Sequence, residues 1–303
     1  MSARLYRTWG IAFAVAGVLA FSVRPILIKL AYAAHPVSPI TLLFLRMTLS
    51  LPFFALVGWW LRDRQPRISG RDWAAIAALG FLGYYGASLL DFIGLQYVGA
   101  GVGRLILFLY PTLVLLLSFL SFGKRPRRRE LAAAVVSYAG IALVVSSQAG
   151  GGEQGKLFVL GALLIFASAL CYAIYLVAGS EMVKRVGSMR FTAYTMVIST
   201  VPALAQFFLL EPMSSLVLPG SVWGYAIVLA TLSTVLPVFL QAEALNRIGA
   251  THFALIGAVG PVSVALTSTL GLGEPFTRVQ AIGGLLVISG VVLVSVGRKP
   301  VRL

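Results

Sequence analysis

The chain has 303 residues, of which 59% are hydrophobic and only 11% charged, and its mean hydropathy is +0.94. Such a composition excludes an ordinary water-exposed globular surface and makes lipid the natural solvent. A net charge of +15 would suggest nucleic acid in a soluble protein, and the single cysteine, Cys171, excludes an internal disulfide framework and a cysteine-based metal site.

A membrane-spanning helix needs roughly 20 mostly apolar residues. In chain order such windows fall near 9–33, 38–61, 72–96, 101–122, 129–148, 156–180, 190–210, 221–245, 251–272 and 278–297. The expected fold is an all-α membrane protein with ten transmembrane helices. With a cytoplasmic N-terminus, eighteen of the 24 Lys and Arg fall in inner segments, Lys156 and Arg278 fall in outer loops, and Arg24, Lys29, Arg46 and Arg104 lie within spans. This is the positive-inside pattern, so the basic charge reports topology rather than nucleic-acid binding, and ten spans return the C-terminus to the cytoplasm. Trp9, Trp59, Trp60 and Trp73 at inner span ends, and Trp223 at an outer one, agree with it, since indole rings favour the interface.

The chain also repeats itself. Residues 95–146 align with 245–296 at a constant offset of 150, pairing Gly99 with Gly249, Pro111 with Pro261, Gly123 with Gly273 and Gly140 with Gly290. The expected units are 1–149 and 150–303. Five spans each, an odd number, give them opposite orientations, the arrangement of transporters that work by alternating access. Small residues at helical spacing, among them Ala12, Ala16 and Ala20, suggest close backbone packing. Gly80, Gly83 and Gly86 on the third span suggest packing or flexibility.

Ionisable groups inside a membrane are costly and become functional candidates. Arg46 can bind a substrate carboxylate through its guanidinium fork, or clamp Asp91 or helix-end carbonyls instead. Asp91 can relay a proton, receive an ammonium group, or pair with Arg46 or Arg104, and its repeat-related position carries the neutral Gln241. Arg24 precedes Pro25, which should break the first helix and leave Arg24 beside backbone groups able to hold an anion. Tyr84, Tyr85, Tyr110, Tyr172, Tyr175 and Phe239 can wall a cavity by stacking, or simply fill the bundle core. No Gly-rich phosphate loop, His-Glu-x-x-His or carboxylate cluster occurs, so neither catalysis, a cofactor nor a metal is expected.

These features resemble the drug/metabolite transporter superfamily of the EamA type over essentially the whole chain. The resemblance is carried by SPITLLFLRMTLSLPFF at 38–54, the repeated Gly-Ala followed by a mid-helix Pro, and LGLGEPFTRVQAIGGLLVISGVVLV at 270–294 with Glu274. The first half carries Lys124 where the second has Glu274, so the two repeats cannot share that residue's role. Within the superfamily the chain is most similar to the YddG-like exporters of aromatic and other amino acids. The resemblance implies a secondary transporter that exports amino acids through a central cavity lined by helices three, four, eight and nine. It places the protein in a bacterial inner membrane as a multi-pass chain, driven by the substrate gradient or by protons. A monomer suffices for this, although the sequence does not fix the oligomeric state. Export of other small metabolites or drugs is the alternative, and an intramembrane enzyme or non-transporting receptor a third reading.

Overall fold

The structure, a computed structural model, describes residues 3–62, 68–123, 127–150, 152–257 and 259–296, and no strand occurs among them. The helices are α1 (Ala3–Ser22), α2 (Arg24–Ala34), α3 (Pro39–Leu61), α4 (Gly70–Gly80), α5 (Ala87–Tyr97), α6 (Ala100–Leu107), α7 (Tyr110–Phe122), α8 (Arg128–Gln148), α9 (Glu153–Val186), α10 (Ser188–Leu210), α11 (Gly220–Ala230), α12 (Leu236–Gly257), α13 (Val259–Leu272) and α14 (Arg278–Val296). A π-helical segment, Phe81–Gly86, joins α4 to α5, and another, Thr231–Val235, joins α11 to α12. Eight helical stretches are long and apolar enough to cross a bilayer, while Val259–Leu272 and Arg278–Leu293 are apolar but shorter. At 34 residues, α9 is ~50 Å long and overruns the ~30 Å hydrocarbon core, well beyond the expected 156–180.

The bundle is dressed for lipid. Many large apolar side chains are exposed, such as Leu209 (81%) and Leu270 (78%), whereas Thr41, Ser50, Ser137, Thr195, Ser199 and Ser233 are buried inside. Lipid cannot satisfy a hydroxyl, so polar groups turn inward and bond to neighbouring carbonyls, as Ser168 does to Ala87 at 2.6 Å.

Helices that gain little from the hydrophobic effect in lipid associate through close packing, and small residues permit it. The α8–α14 crossing shows how. A Cβ on Gly140 would lie 2.6 Å from the Gly283 carbonyl oxygen, and one on Gly290 would lie 2.5 Å from the Ala133 carbonyl oxygen. Under the 150-residue offset Gly140 maps to Gly290 and Ala133 to Gly283, so each contact is the image of the other. Between them Ser137 donates to the carbonyl of Val287, its own equivalent, at 3.5 Å. Equivalent residues that meet while partner numbers run in opposite senses define a pseudo-two-fold axis perpendicular to both helices. The two π-helical segments are also related by this offset.

On α1 the close-packed stripe is Gly10, Ala14 and Gly17, not Ala12, Ala16 and Ala20: Ala12 and Ala16 are exposed and only Ala20 is buried. The 3.6-residue period puts positions 12 and 16 on the opposite face from 10, 14 and 17. A Cβ on Gly10 or Gly17 would press on Ile248 or Leu240 of α12. On the third span packing accounts for Gly83, whose Cβ would collide with Tyr175, and for Gly80, which abuts the Thr195 carbonyl.

The repeats differ at one junction. Between α5 and α6 the chain breaks at Val98–Gly99, and Glu274 accepts the freed N–H groups of Ala100 at 3.0 Å and Gly101 at 3.4 Å. A carboxylate at a helix N-terminus both fills vacant acceptor positions and faces the positive end of the dipole. The corresponding break expected between 245 and 251 is absent, because α12 continues to Gly257. Lys124, the counterpart of Glu274, lies outside the described residues. A lysine has no acceptor atom and cannot cap a helix start.

Replacing Gly290 by Leu is expected to force α8 and α14 apart at a cost of at least 1–3 kcal/mol, taking about that much for an overpacked contact. A lower thermal midpoint in detergent would register it, and an unchanged midpoint would contradict the crossing. Glu274→Ala should cost about 1 kcal/mol through the lost cap, whereas Glu274→Gln, which still accepts hydrogen bonds, should cost less in the same assay.

Candidate functional site

Four local irregularities converge at the centre of the bundle. The first helix breaks at Val23, with Pro25 in the opening turn of α2, as the sequence led us to expect. The π-helical turn Phe81–Gly86 widens the third span and sets Tyr84. The fourth span breaks at Phe108–Leu109, with Pro111 in the first turn of α7. Pro237 and Gln241 follow the second π-helical segment. Unwound or widened turns inside a membrane bundle occur where backbone lines a cavity, and π-bulges are frequent at functional sites.

The cavity between these elements has a volume of about 160 Å³ and is lined by Arg24, Tyr84, Ser88, Asp91, Arg104, Tyr110, Ser168, Tyr172 and Gln241, with Phe21, Phe108 and Phe253 among its apolar walls. Arg24 forms an ion pair with Asp91 at 3.6 Å and donates to the Ser88 hydroxyl at 3.2 Å. Arg46 donates to the same hydroxyl at 2.9 Å from behind, so Ser88 yokes two guanidinium groups. Phe92 lies 5.5 Å from both guanidinium carbons, and Phe21 lies 4.5 Å from that of Arg104. The charges of Arg24, Arg104 and Arg46 all act on Asp91.

The unmet bonding capacity is the informative part. Among the described residues no hydrogen bond or ion pair reaches the Arg104 guanidinium, and the Nε atoms of Arg24, Arg46 and Arg104 are buried without a hydrogen-bond partner. A guanidinium carries five donors and cannot shed its charge. The carboxylate of Asp91 can accept about four hydrogen bonds. It meets Arg24 at 3.6 Å, too long for a hydrogen bond. A forked donor and a free acceptor thus face one small space.

Of the ten residues proposed from sequence, Arg24, Asp91, Tyr84, Tyr110, Tyr172 and Gln241 line the cavity. Arg46 is 2% exposed and stands behind Ser88. Tyr175 backs Tyr84 at 5.1 Å and stacks on Phe191 at 5.5 Å. Tyr85 turns the other way onto Phe81, at 5.2 Å, and Phe239 stacks on Phe54 at 6.1 Å. Asp91 pairs with Arg24 rather than with Arg46 or Arg104. Sequence reading treated Arg104 only as a partner for Asp91, although it is one of just four basic residues within spans. Ser88 and Phe21 carry no comparable signal.

Arg24→Gln removes the one guanidinium within ion-pair distance of Asp91 among the described residues, and Arg46 and Arg104 stay nearby, so the pair is read from a double-mutant cycle rather than from the single variant. Thermal unfolding of Arg24→Gln, Asp91→Asn and the double variant should return a favourable coupling of about 0.5–3 kcal/mol between the two side chains. Strictly additive effects would contradict the pair.

The model of the EamA-like transporter family matches this chain twice, at residues 8–146 and 159–296. A Bacillus subtilis protein described as the uncharacterized transporter YcbK is 31% identical over 285 residues, spanning 90% of this chain and 88% of its own. YyaM, another uncharacterized transporter of that organism, is 31% identical over 220 residues, 72% of this chain and 71% of its own. A solved crystal structure, 22% identical, superposes with a TM-score of 0.66 over 94% of this chain and 95% of that one, a likeness of fold. With both halves matched and an all-helical membrane bundle in hand, the chain belongs to the EamA-like transporter family.

Proposed function

We propose that this protein is a secondary transporter that exports amino acids across a bacterial inner membrane by alternating access. The observation that carries the reading is the juxtaposition of Arg104, with its donors free, and Asp91, with acceptor capacity free, in one aromatic-walled cavity. An α-amino acid presents the complement of that pair. Its carboxylate takes two parallel hydrogen bonds from a guanidinium, its ammonium group approaches Asp91, and an aromatic or other neutral side chain packs against Tyr84, Tyr110 and Tyr172. A cavity of about 160 Å³ lies below the several hundred Å³ of drug-sized sites, which favours a small metabolite over a bulky drug.

In this reading units 1–149 and 150–303 are inverted five-helix repeats, ten crossings in all, with both termini in the cytoplasm. The axis at Ser137 and Val287 then lies in the membrane plane, so gating on the two sides uses related elements. Asp91 is the group through which protons would couple to export, and the substrate gradient suffices without them. The reading assigns no chemistry to the chain beyond moving its cargo. The alternative cargo is another small metabolite bearing a carboxylate, for which the same guanidinium serves.

The test is counterflow in proteoliposomes preloaded with unlabelled amino acids, with labelled phenylalanine, methionine and threonine outside. Wild-type protein should accumulate label, Arg104→Gln should lose at least about tenfold, the scale of a hydrogen bond to a charged group, and Tyr85→Phe should be unaffected. Equal flux in Arg104→Gln would remove Arg104 from recognition, and no flux for any amino acid would remove the amino-acid reading.

A further inference from the structure

The charge of the cavity does not match the charge of a neutral amino acid. Two guanidinium groups, Arg24 and Arg104, line the cavity with one carboxylate, Asp91, and a third, Arg46, stands behind Ser88, which Arg24 also contacts. Asp91 is the one acidic residue lining the cavity among the described residues, and arginine stays protonated in proteins. Two positive charges are therefore left over, and more if Asp91 takes up a proton. Arg46 is 2% exposed and Arg104 8%, and their Nε atoms have no partner. The Ser88 hydroxyl and the faces of Phe21 and Phe92 ease this burial through dipoles and quadrupoles, but they carry no charge. Uncompensated buried cations are costly, and native sites pair them. A zwitterion adds a carboxylate and an ammonium together and leaves the excess where it was.

We propose that the loaded cavity holds one anionic group beyond those of a neutral amino acid, received by the unpartnered donors of Arg104 and its neighbours. The group is either a second carboxylate on the cargo or a halide ion bound beside it. The inference rests on this cavity being the transport site, and it sharpens the cargo from amino acids in general to a net anion, bound whole or assembled in place.

Thermal unfolding of the purified full-length protein in detergent tests this separately from transport. Ionic strength is held constant with a bulky sulfonate too large for the cavity. Glutamate alone, phenylalanine alone, chloride alone, and phenylalanine with chloride are then added, because a ligand that binds only the folded state raises the midpoint. The expected result is an upward shift of a few degrees with glutamate alone, which assigns the anion to the cargo, or with phenylalanine only when chloride is present, which assigns it to a halide. Phenylalanine alone should do little. Chloride alone acting, with no amino acid effect, would support the anion site and sink the amino-acid reading. Phenylalanine acting fully without chloride and more strongly than glutamate would overturn the proposal, as would the absence of a shift with every anion. Arg104→Gln should abolish the shift and Arg104→Lys should retain part of it. Asp91→Asn, which adds to the positive excess, should enlarge the shift with chloride, so the proposal stays exposed even if Arg104→Gln fails to fold.

Discussion

The constraint on which the rest of this structure depends is the burial of three guanidinium groups around one carboxylate inside a bundle dressed for lipid. Each charge taken from water into such a place costs several kcal/mol even after relaxation, so the elements that hold them are shaped around that cost. Pro25 opens the first helix where Arg24 emerges, Ser88 accepts from Arg24 and Arg46 at once, and Phe21 and Phe92 present their ring faces to the guanidinium groups. What these contacts leave unmet, the donors of Arg104 above all, is what the proposed cargo would satisfy.

The scaffold around this cluster is symmetric, but the cluster is not. The crossing of α8 and α14 exchanges Gly140 with Gly290 and Ala133 with Gly283, and the two π-helical segments occupy equivalent positions. Asp91, however, answers to Gln241, and Arg104 to Ala254. The same division recurs at the repeat junctions, where Glu274 caps the start of α6 and the matching position holds Lys124. The two halves thus share a scaffold at these contacts, while Asp91 and Arg104 belong to one of them. Under the proposed function, this division gives one cargo site flanked by related elements.

Much of the fold was legible because lipid imposes simple rules. Spans declare themselves by length and apolarity, and the 150-residue offset survived in glycines and prolines that close packing and helix breaks require. Small-residue counting alone misplaced the face of α1, since Ala12 and Ala16 turn outward while Gly10 and Gly17 meet α12; spacing gives a stripe but not its partner. The continuous α12 was invisible for a different reason. Whether Gly-Ala starts a new helix depends on a distant acceptor such as Glu274, and that is a tertiary contact. At the cavity, Arg24 and Asp91 stood out as intramembrane charges, whereas the positions of Arg46 behind Ser88 and of Tyr85 away from the cavity follow from helix rotation, which the π-helical turn resets locally.

The central claim is that cargo sits between Arg104, Asp91 and the tyrosine wall. The most direct measurement is a crystal structure of the protein soaked with L-selenomethionine in the presence of chloride, with the selenium located by its anomalous signal. The account predicts one peak inside the cavity, beside Tyr84 and Tyr172, with the ligand carboxylate on Arg104. A peak elsewhere in the bundle, with the cavity holding only water, would contradict it.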